Sequence, residues 1–363
     1  MGRGRVRQQG PLRQGSGGVV RLAGILTAAL LVGTGTAAAQ DWPVSDALPA
    51  EARQFDFWVG EWDVDLRIRQ DDFSWSDEVR SVASVYPILR GKAVLELWSD
   101  VREGGIKGYS LRYFDTARDE WVLWLNWPGP DVSGSSSLAG TFRHGRGEFF
   151  SRNDASVSRY TFSDIGPNSL RWDDAFSQDG GATWSNRWIM EFTRRADRAW
   201  LVDGEPAPTF HTGERCSAAP FRSYDFLAGR QEGQVEVGGS GPVTIMGHRV
   251  LDGCAVLTFA GAAGGPETAY AFSHWTWNTY AERFELTTLT SGANTPVRMF
   301  FGTPGASGEA DLVLVEQVDG SRAADRFRVE RADDGRVTWV HETPDGEGWR
   351  AVWRATVRPV EGR

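Results

Sequence analysis

The chain carries one sequence pattern twice, and this repeat most limits the folds open to it. Segment Phe55–Val64 (FDFWVGEWDV) returns in altered form as Tyr224–Gly233 (YDFLAGRQEG). Three further pairs follow in the same order, namely Ile88–Leu95 with Val250–Leu257, Phe114–Trp121 with Trp277–Phe284, and Trp184–Trp188 with Trp349–Trp353. The spacing of roughly 165 residues far exceeds the 20–50 residues or so of solenoid and propeller units. Each copy is therefore expected to be a whole domain.

Residues 1–39 have the features of an export signal. Five arginines accompany a short apolar run, Leu22–Val32, and Ala37-Ala38-Ala39 precedes Gln40 in the manner of a cleavage site. The apolar run is shorter than the roughly 20 residues that a membrane span needs. We therefore expect cleavage near Ala39 and a periplasmic or secreted mature chain without a membrane span.

Charge argues against nucleic acid as a partner. The full chain has a net charge of −9, and removal of the five arginines in the predicted signal would lower it to −14. Such a surface repels phosphate backbones. We expect instead a monomeric chain in which the two barrels contact each other, and a small hydrophobic molecule as the ligand.

Alternating side chains predict β-structure throughout both repeats. From Glu61 to Arg69, apolar and charged residues alternate, as in an antiparallel strand with one buried face. Similar runs recur about every 10–15 residues, separated by Gly, Asp and Pro, which is typical of an all-β meander. Closure into a barrel would remove the exposed strand edges. The predicted order is an N-terminal extension (40–53), a first barrel (54–195), a linker (196–220) and a second barrel (221–358).

The repeated motifs carry a family resemblance. The opening Phe-Asp-Phe-x-x-Gly-x-Trp motif, the Ile-Leu-x-Gly stretch, the Phe-Asp…Trp hairpin and the Asp-Gly-Gly-x-Thr-Trp turn resemble a family of exported bacterial proteins of uncharacterised function in the calycin superfamily, which includes lipocalin-like and nitrobindin-like barrels. The resemblance implies two tandem lipocalin-like barrels. It also implies that Trp62 plugs the closed end of the first barrel against an arginine, Arg187 or Arg194. The signature residues are Gly60, Trp62, Gly229, Asp179 and Trp184.

Two features depart from symmetry between the repeats. Gln231 stands where the second repeat would have the plugging tryptophan, so its closed end must be sealed differently. Cys216 and Cys254 both belong to the second half, and in an oxidising compartment an even pair favours a disulfide. A reactive thiol or a metal-binding pair is the alternative. The resemblance implies that the pair is a family feature which the first repeat has lost.

Tryptophan is the strongest compositional signal, with 17 in the chain. The run Trp121–Trp127 (WVLWLNW) is apolar on both strand faces, which predicts that Trp121, Leu123 and Trp127 face into the first barrel and that Trp124 faces the other domain. Such residues either pack a core or interface, or line an aromatic ligand cavity.

Few other residues suggest chemistry. Arg112 and Glu96 have apolar neighbours and are expected to project into the first barrel, while His274 and Trp275 are the candidate pocket residues of the second. The five histidines lack metal-ligand spacing, so no metal site is predicted. Nitrobindin-like barrels bind haem through one histidine near the chain end. His341 invites that comparison, but the expectation is that the protein holds no cofactor.

Three functions remain open from the sequence. The favoured one is an exported tandem barrel that binds a small hydrophobic or amphipathic molecule. An enzyme of the lipocalin-like hydratase or cyclase type is the second, and it would need a buried acid at the floor of a cavity. A structural or interaction module is the third. No nucleophile elbow, phosphate loop or zinc signature is present, so the sequence leans away from an enzyme without deciding.

Overall fold

The computed structural model describes residues 42–102, 105–131, 134–153, 155–197, 214–262, 265–302 and 325–360, together with the backbone of 312–317. The predicted signal peptide and most of the predicted linker lie outside these residues. The described residues form 20 strands, one-turn 3-10 helices at Ala50–Arg53, Asp56–Trp58 and Asp225–Leu227, and a short helix α1 (Ala219–Arg222). No helix in these ranges is long and apolar enough to cross a bilayer.

The strands form two closed antiparallel barrels in which each strand pairs with the next and the last returns to the first. The first barrel comprises β1 (Gly60–Ile68), β2 (Val79–Ile88), β3 (Ala93–Asp100), β4 (Lys107–Asp115), β5 (Glu120–Asn126), β6 (Ser135–Arg143), β7 (Arg146–Arg152), β8 (Val157–Ser163), β9 (Ser169–Ser177) and β10 (Ser185–Ala196). The second comprises β11 (Gly229–Val237), β12 (Gly241–Val250), β13 (Ala255–Gly261), β14 (Ala271–Asn278), β15 (Arg283–Thr290), β16 (Arg298–Gly302), β17 (Leu312–Gln317), β18 (Arg326–Arg331), β19 (Val337–Asp345) and β20 (Gly348–Pro359). The predicted fold class, two tandem antiparallel meander barrels, is confirmed.

The opening motif closes one end of the first barrel. Trp62 is fully buried, and its indole N–H donates to the carbonyl of Trp58 at 2.8 Å. The guanidinium of Arg194 stacks 4.1 Å from the Trp62 ring and donates to the carbonyl of Val59 at 2.6 Å. Arg194 is thus the arginine of the plug. Gly60 has a φ of +137°, and a Cβ there would lie 2.5 Å from the Ala196 carbonyl oxygen, so this position requires glycine.

Gln231 seals the second barrel by a similar bond. It is fully buried, and its Nε2 donates to the carbonyl of Phe226 at 3.0 Å. Its ladder partner on the last strand is Pro359, whereas the partner of Trp62 is Arg194. The second barrel therefore keeps a donor at this position and loses the stacked arginine.

The second motif of each repeat, Ile88–Leu95 and Val250–Leu257, forms the same turn. Residues 89–91 and 251–253 are each three consecutive residues with φ between 55° and 78°. Two non-glycine residues in succession rarely adopt this region, so its presence at matching places supports a common origin.

The two barrels pack side by side through an apolar interface. Strands β3 and β4 are buried on almost every residue because one face lines the barrel and the other meets the second barrel. Trp124 belongs to the shared cluster, as predicted, with Tyr109 and Leu111 from β4 and Leu257 and Phe272 from the second barrel. A buried ion pair joins Lys107 and Asp252 at 2.6 Å across it.

The barrels run in opposite directions. At the closed end of the first, the amides of Leu89 and Arg90 donate to the carbonyls of Pro266 and Glu267, which belong to an open-end loop of the second. At the other side, Lys107 of the first barrel's open end meets Asp252 of the second barrel's closed end. The two mouths therefore face opposite sides of the molecule.

The predicted disulfide between Cys216 and Cys254 is present and spans 38 residues. Both cysteines are buried and belong to the interface cluster. The bond ties the segment that enters the second barrel to the turn before β13. A disulfide fits an oxidising compartment, in agreement with an exported chain.

Candidate ligand cavities

The first barrel contains a cavity of about 380 Å³. Its floor is formed by Trp58, Arg112 and Phe192, which lie above the closed end, and Ile106, Trp127 and Trp188 lie toward the mouth. The other wall residues are Glu96, Trp98, Gly108, Tyr109, Ser110, Leu125, Tyr160, Trp172, Asp174, Arg187 and Met190. This cavity combines aromatic walls with two arginines and two carboxylates.

A buried ion pair lies at the floor of this cavity. Nη2 of Arg112 lies 2.9 Å from Oε2 of Glu96, and the hydroxyl of Ser110 donates to the same oxygen at 2.6 Å. The guanidinium also stacks 4.0 Å from the ring of Trp58. Burial lowers the pKa of Arg112, and the Glu96 carboxylate opposes that shift.

Several residues that line this cavity have donors without a hydrogen-bond partner. These donors include Nε and Nη1 of Arg112 and the indole N–H groups of Trp58 and Trp98, all buried. Arg112 is only 3% exposed. An unpaired buried donor costs on the order of 1–3 kcal/mol, more when charged, so a bound molecule that offers acceptors would recover part of this cost.

A second ion pair lies nearer the mouth. Nη2 of Arg187 donates to Oδ1 of Asp174 at 2.8 Å. Burial raises the pKa of Asp174, and Arg187 opposes that shift. Tyr160 packs edge-on against Trp172, and burial, with the neighbouring Asp174, raises the pKa of its phenol. Arg187 therefore serves the cavity wall and not the plug.

The second barrel contains a larger cavity, of about 510 Å³. Apolar and aromatic residues form much of its wall, including Phe300, Phe327, Trp339 and Trp353. The remaining wall residues are Ile245, Thr258, Ala260, Tyr270, Ala271, Phe272, Ser273, Thr288, Leu289, Thr290, Thr295, Pro296, Arg298 and His341. Its polar atoms are mainly hydroxyls.

His341 lies in this second cavity, between Phe300 and Phe327. Its Nε2 lies 3.1 Å from Oδ2 of Asp325 and 3.3 Å from Nη1 of Arg298, and Arg298 also pairs with Asp325. Burial, reinforced by Arg298, lowers the pKa of the imidazole. With Nε2 held by these neighbours, His341 does not fit the role of an iron ligand, and no haem chemistry follows from it.

The second barrel differs from the first at the positions equivalent to the floor of the first cavity. In the first barrel Glu96 lies opposite Ser110, and Arg112 lies opposite Val94. In the second, Thr258 lies opposite Ser273, and Trp275 lies opposite Val256. The indole N–H of Trp275 donates to the Thr258 hydroxyl at 3.2 Å. A charged pair in one barrel thus corresponds to a neutral hydrogen-bonded pair in the other.

The predicted site residues occupy several places. Arg112, Glu96 and Trp127 line the first cavity. Trp121 and Leu123 face inward as predicted but belong to the core beneath it, where the Trp121 indole donates to Gln54 at 3.0 Å.

In the second barrel, Trp275 lies in the core against Trp339, a wall residue of the second cavity. His274 faces the other way, stacked 4.1 Å from the ring of Tyr109 in the interface. His274 is therefore not among the wall residues of the second cavity, because adjacent residues on a strand point to opposite faces.

The remaining signature residues are structural. Asp179 accepts hydrogen bonds from the amide and hydroxyl of Thr183, at 2.8 and 2.6 Å. The indole of Trp184 donates to the Gly181 carbonyl at 3.0 Å, which covers the turn. The hydrogen bonds lower the pKa of Asp179. Gly229 has a φ of +91° at the start of β11.

Sequence reasoning missed Trp98, Tyr160, Asp174 and Arg187 as wall residues. One signal was available for Asp174, which shares strand parity with the buried Leu170 and Trp172 on β9. Among the described residues, no three His, Cys, Asp or Glu side chains form a group that could hold a metal ion.

No protein-family model and no curated protein matches this chain. Among solved structures, it is similar to the S-type phycobiliprotein lyase CPES from Guillardia theta, with 13% identity over 39% of this chain and 89% of that chain and a TM-score of 0.28. It is also similar to a DUF3598-family protein of unknown function from Nostoc punctiforme, with 11% identity over 86% of this chain and 100% of that chain and a TM-score of 0.20.

Proposed function

We propose that this protein binds a small amphipathic molecule in the cavity of its first barrel, with an acceptor-rich head group on Arg112. We further propose that it works outside the cytoplasm, after removal of residues 1–39. The observation that carries the proposal is the pair of unpartnered N–H groups on Arg112, a nearly fully buried guanidinium in an aromatic cavity.

The chemistry of the head group follows from the unpartnered atoms. Arg112, Trp58 and Trp98 all offer N–H donors, so the complementary group supplies oxygen acceptors. Hydrogen bonds from a guanidinium are strongest to an anion, which favours a carboxylate. The tail of the molecule would contact the aromatic wall toward Trp127 and Trp188.

The wall carboxylates favour binding over proton transfer. Glu96 pairs with Arg112, and Asp174 pairs with Arg187, so each is held beside a positive charge. A catalytic acid for alkene protonation would need a readily available proton at the cavity floor. Glu96 is the carboxylate at that floor, and it accepts hydrogen bonds from both Arg112 and Ser110. These contacts favour its ionised form, which has no proton to give.

Calorimetric titration of the full chain with decanoate tests the proposal. The double variant Arg112→Met/Glu96→Gln removes the donors without leaving a buried carboxylate unpaired, and we expect decanoate to bind at least about tenfold more weakly to it. The matched control is Thr258→Val/Trp275→Phe, which changes the equivalent positions of the second barrel. Unchanged affinity in the first variant, with its circular dichroism spectrum intact, would contradict the proposal.

A further inference from the structure

The second barrel differs from the first at the positions that would select a ligand. We infer that its cavity is a separate binding site for an uncharged, mainly apolar molecule that carries a hydrogen-bond acceptor. This goes beyond the function proposed for the first barrel, and it stands on different residues.

The charged pair at the floor of the first cavity has no counterpart in the second barrel. Where the first barrel has Glu96 and Arg112, the second has Thr258 and Trp275 at the same ladder positions. Trp275 satisfies its indole N–H on the Thr258 hydroxyl at 3.2 Å, so this pair offers no charge and no free indole donor. The positions that would hold an anionic head group in the first barrel are therefore neutral in the second.

The charged groups in the wall of the second cavity are paired with each other. Arg298 pairs with Asp325, and both contact Nε2 of His341. The charges of the arginine and the carboxylate thus offset one another within the protein. Burial and Arg298 lower the pKa of His341, which favours the neutral imidazole. Both Nη groups of Arg298 contact protein atoms, whereas only one Nη group of Arg112 does, so an anion would find one unpartnered guanidinium nitrogen here instead of two.

Three residues in the wall of the second cavity have donors without a partner. The indole N–H of Trp339 and the hydroxyl of Tyr270 are buried without a partner, as is Nε of Arg298. Burial raises the pKa of Tyr270, so its hydroxyl stays protonated and can donate. A carbonyl or hydroxyl oxygen on the ligand would accept from these groups, while Phe300 and Phe327 contact its apolar part.

The two cavities have separate entrances. The closed-end turn of the first barrel, at Leu89 and Arg90, bonds to the open-end loop of the second, at Pro266 and Glu267. Two barrels that run in opposite directions open at opposite sides and do not share a mouth. The two cavities can therefore be filled independently.

Decanol is the probe, because it has the chain of decanoate with an uncharged head. Ala260 lines the second cavity, and Trp98 is the residue at the equivalent position of the first. Ala260→Trp therefore fills part of the second cavity with the side chain that the first barrel has at this position. We expect this variant to bind decanol at least about tenfold more weakly and decanoate as tightly as the unaltered chain. Arg112→Met/Glu96→Gln should bind decanoate at least about tenfold more weakly and decanol as tightly as the unaltered chain.

A second measurement does not depend on any variant. A photoreactive decanol that carries a diazirine on its chain is expected to label peptides from β14, β16 or β19 of the unaltered protein, and decanoate in excess should leave that labelling unchanged. Labelling of β3 and β4 instead, or displacement by decanoate, would overturn the inference. So would unchanged decanol affinity in Ala260→Trp. If the unaltered chain bound decanol but not decanoate, the function proposed for the first barrel would be contradicted and the site in the second barrel would not.

Discussion

Arg112 and Trp275 occupy equivalent positions on β4 and β14, opposite Val94 and Val256 respectively. After duplication, one position came to hold a buried cation and the other a neutral indole. Each has a matched partner on the preceding strand, Glu96 for the arginine and a threonine hydroxyl for the indole. Both members of each pair differ between the repeats, which is the pattern expected when two cavities come to accept different molecules.

The plug of the first barrel gives a prediction about stability. Arg194→Met removes the stack on Trp62 and the donors to the carbonyls of Val59 and Pro167. We expect a loss of about 2–3 kcal/mol in the free energy of unfolding, measured by urea titration with tryptophan fluorescence. The neighbouring Arg195 is half-exposed, so Arg195→Met should cost no more than about 1 kcal/mol. Equal losses in the two variants would show that the plug is not a stabilising element.

The interface histidine gives a prediction about pH. His274 is fully buried, and both ring nitrogens lack a partner. Burial lowers its pKa from 6.5 to about 3, so between these values the unfolded chain binds a proton that the folded chain does not. Stability should therefore fall as the pH drops from 6.5 toward 3.

His274→Leu, which copies Leu111 from the equivalent position of the first barrel, should remove that part of the acid sensitivity. At pH 7 it should also raise the free energy of unfolding by about 1 kcal/mol, because two unpaired nitrogens are lost. The exposed His144 provides the control, as His144→Asn should leave the pH profile unchanged. An identical acid profile for His274→Leu and the unaltered chain would refute the assignment.

The disulfide gives a third prediction. Cys216→Ala/Cys254→Ala opens a loop of 38 residues, which corresponds to a loss of about 3–4 kcal/mol. Both cysteines lie in the second half of the chain, so hydrogen exchange should rise first in β12 and β13. Thermal unfolding of the unaltered chain should shift downward with a reductant, whereas the variant should not respond. A reductant that leaves the unfolding temperature of the unaltered chain in place would contradict this.

Much of the fold could be predicted because it depends on local patterns. Alternation along β1 predicted a strand with one buried face, and the apolar faces of Trp121–Trp127 predicted that Trp124 meets the other domain. The repeat itself predicted two barrels. These features depend on strand parity and on motif spacing, both of which are present in the sequence.

The site was less accessible to sequence reasoning, because its residues come from strands far apart in the chain. Glu96 and Arg112 lie on neighbouring strands and were predicted, whereas Asp174 and Arg187 reach the same cavity from β9 and β10. The opposite directions of the barrels depend on long-range contacts such as Lys107 with Asp252, which no local pattern encodes.

A crystal structure of the full chain grown with decanoate tests the central claim most directly. The account predicts one decanoate in the first barrel, with a carboxylate oxygen within hydrogen-bonding distance of Nε or Nη1 of Arg112 and its chain against Trp127 and Trp188. A first cavity that stays empty at saturating decanoate, or a carboxylate bound away from Arg112, would contradict it.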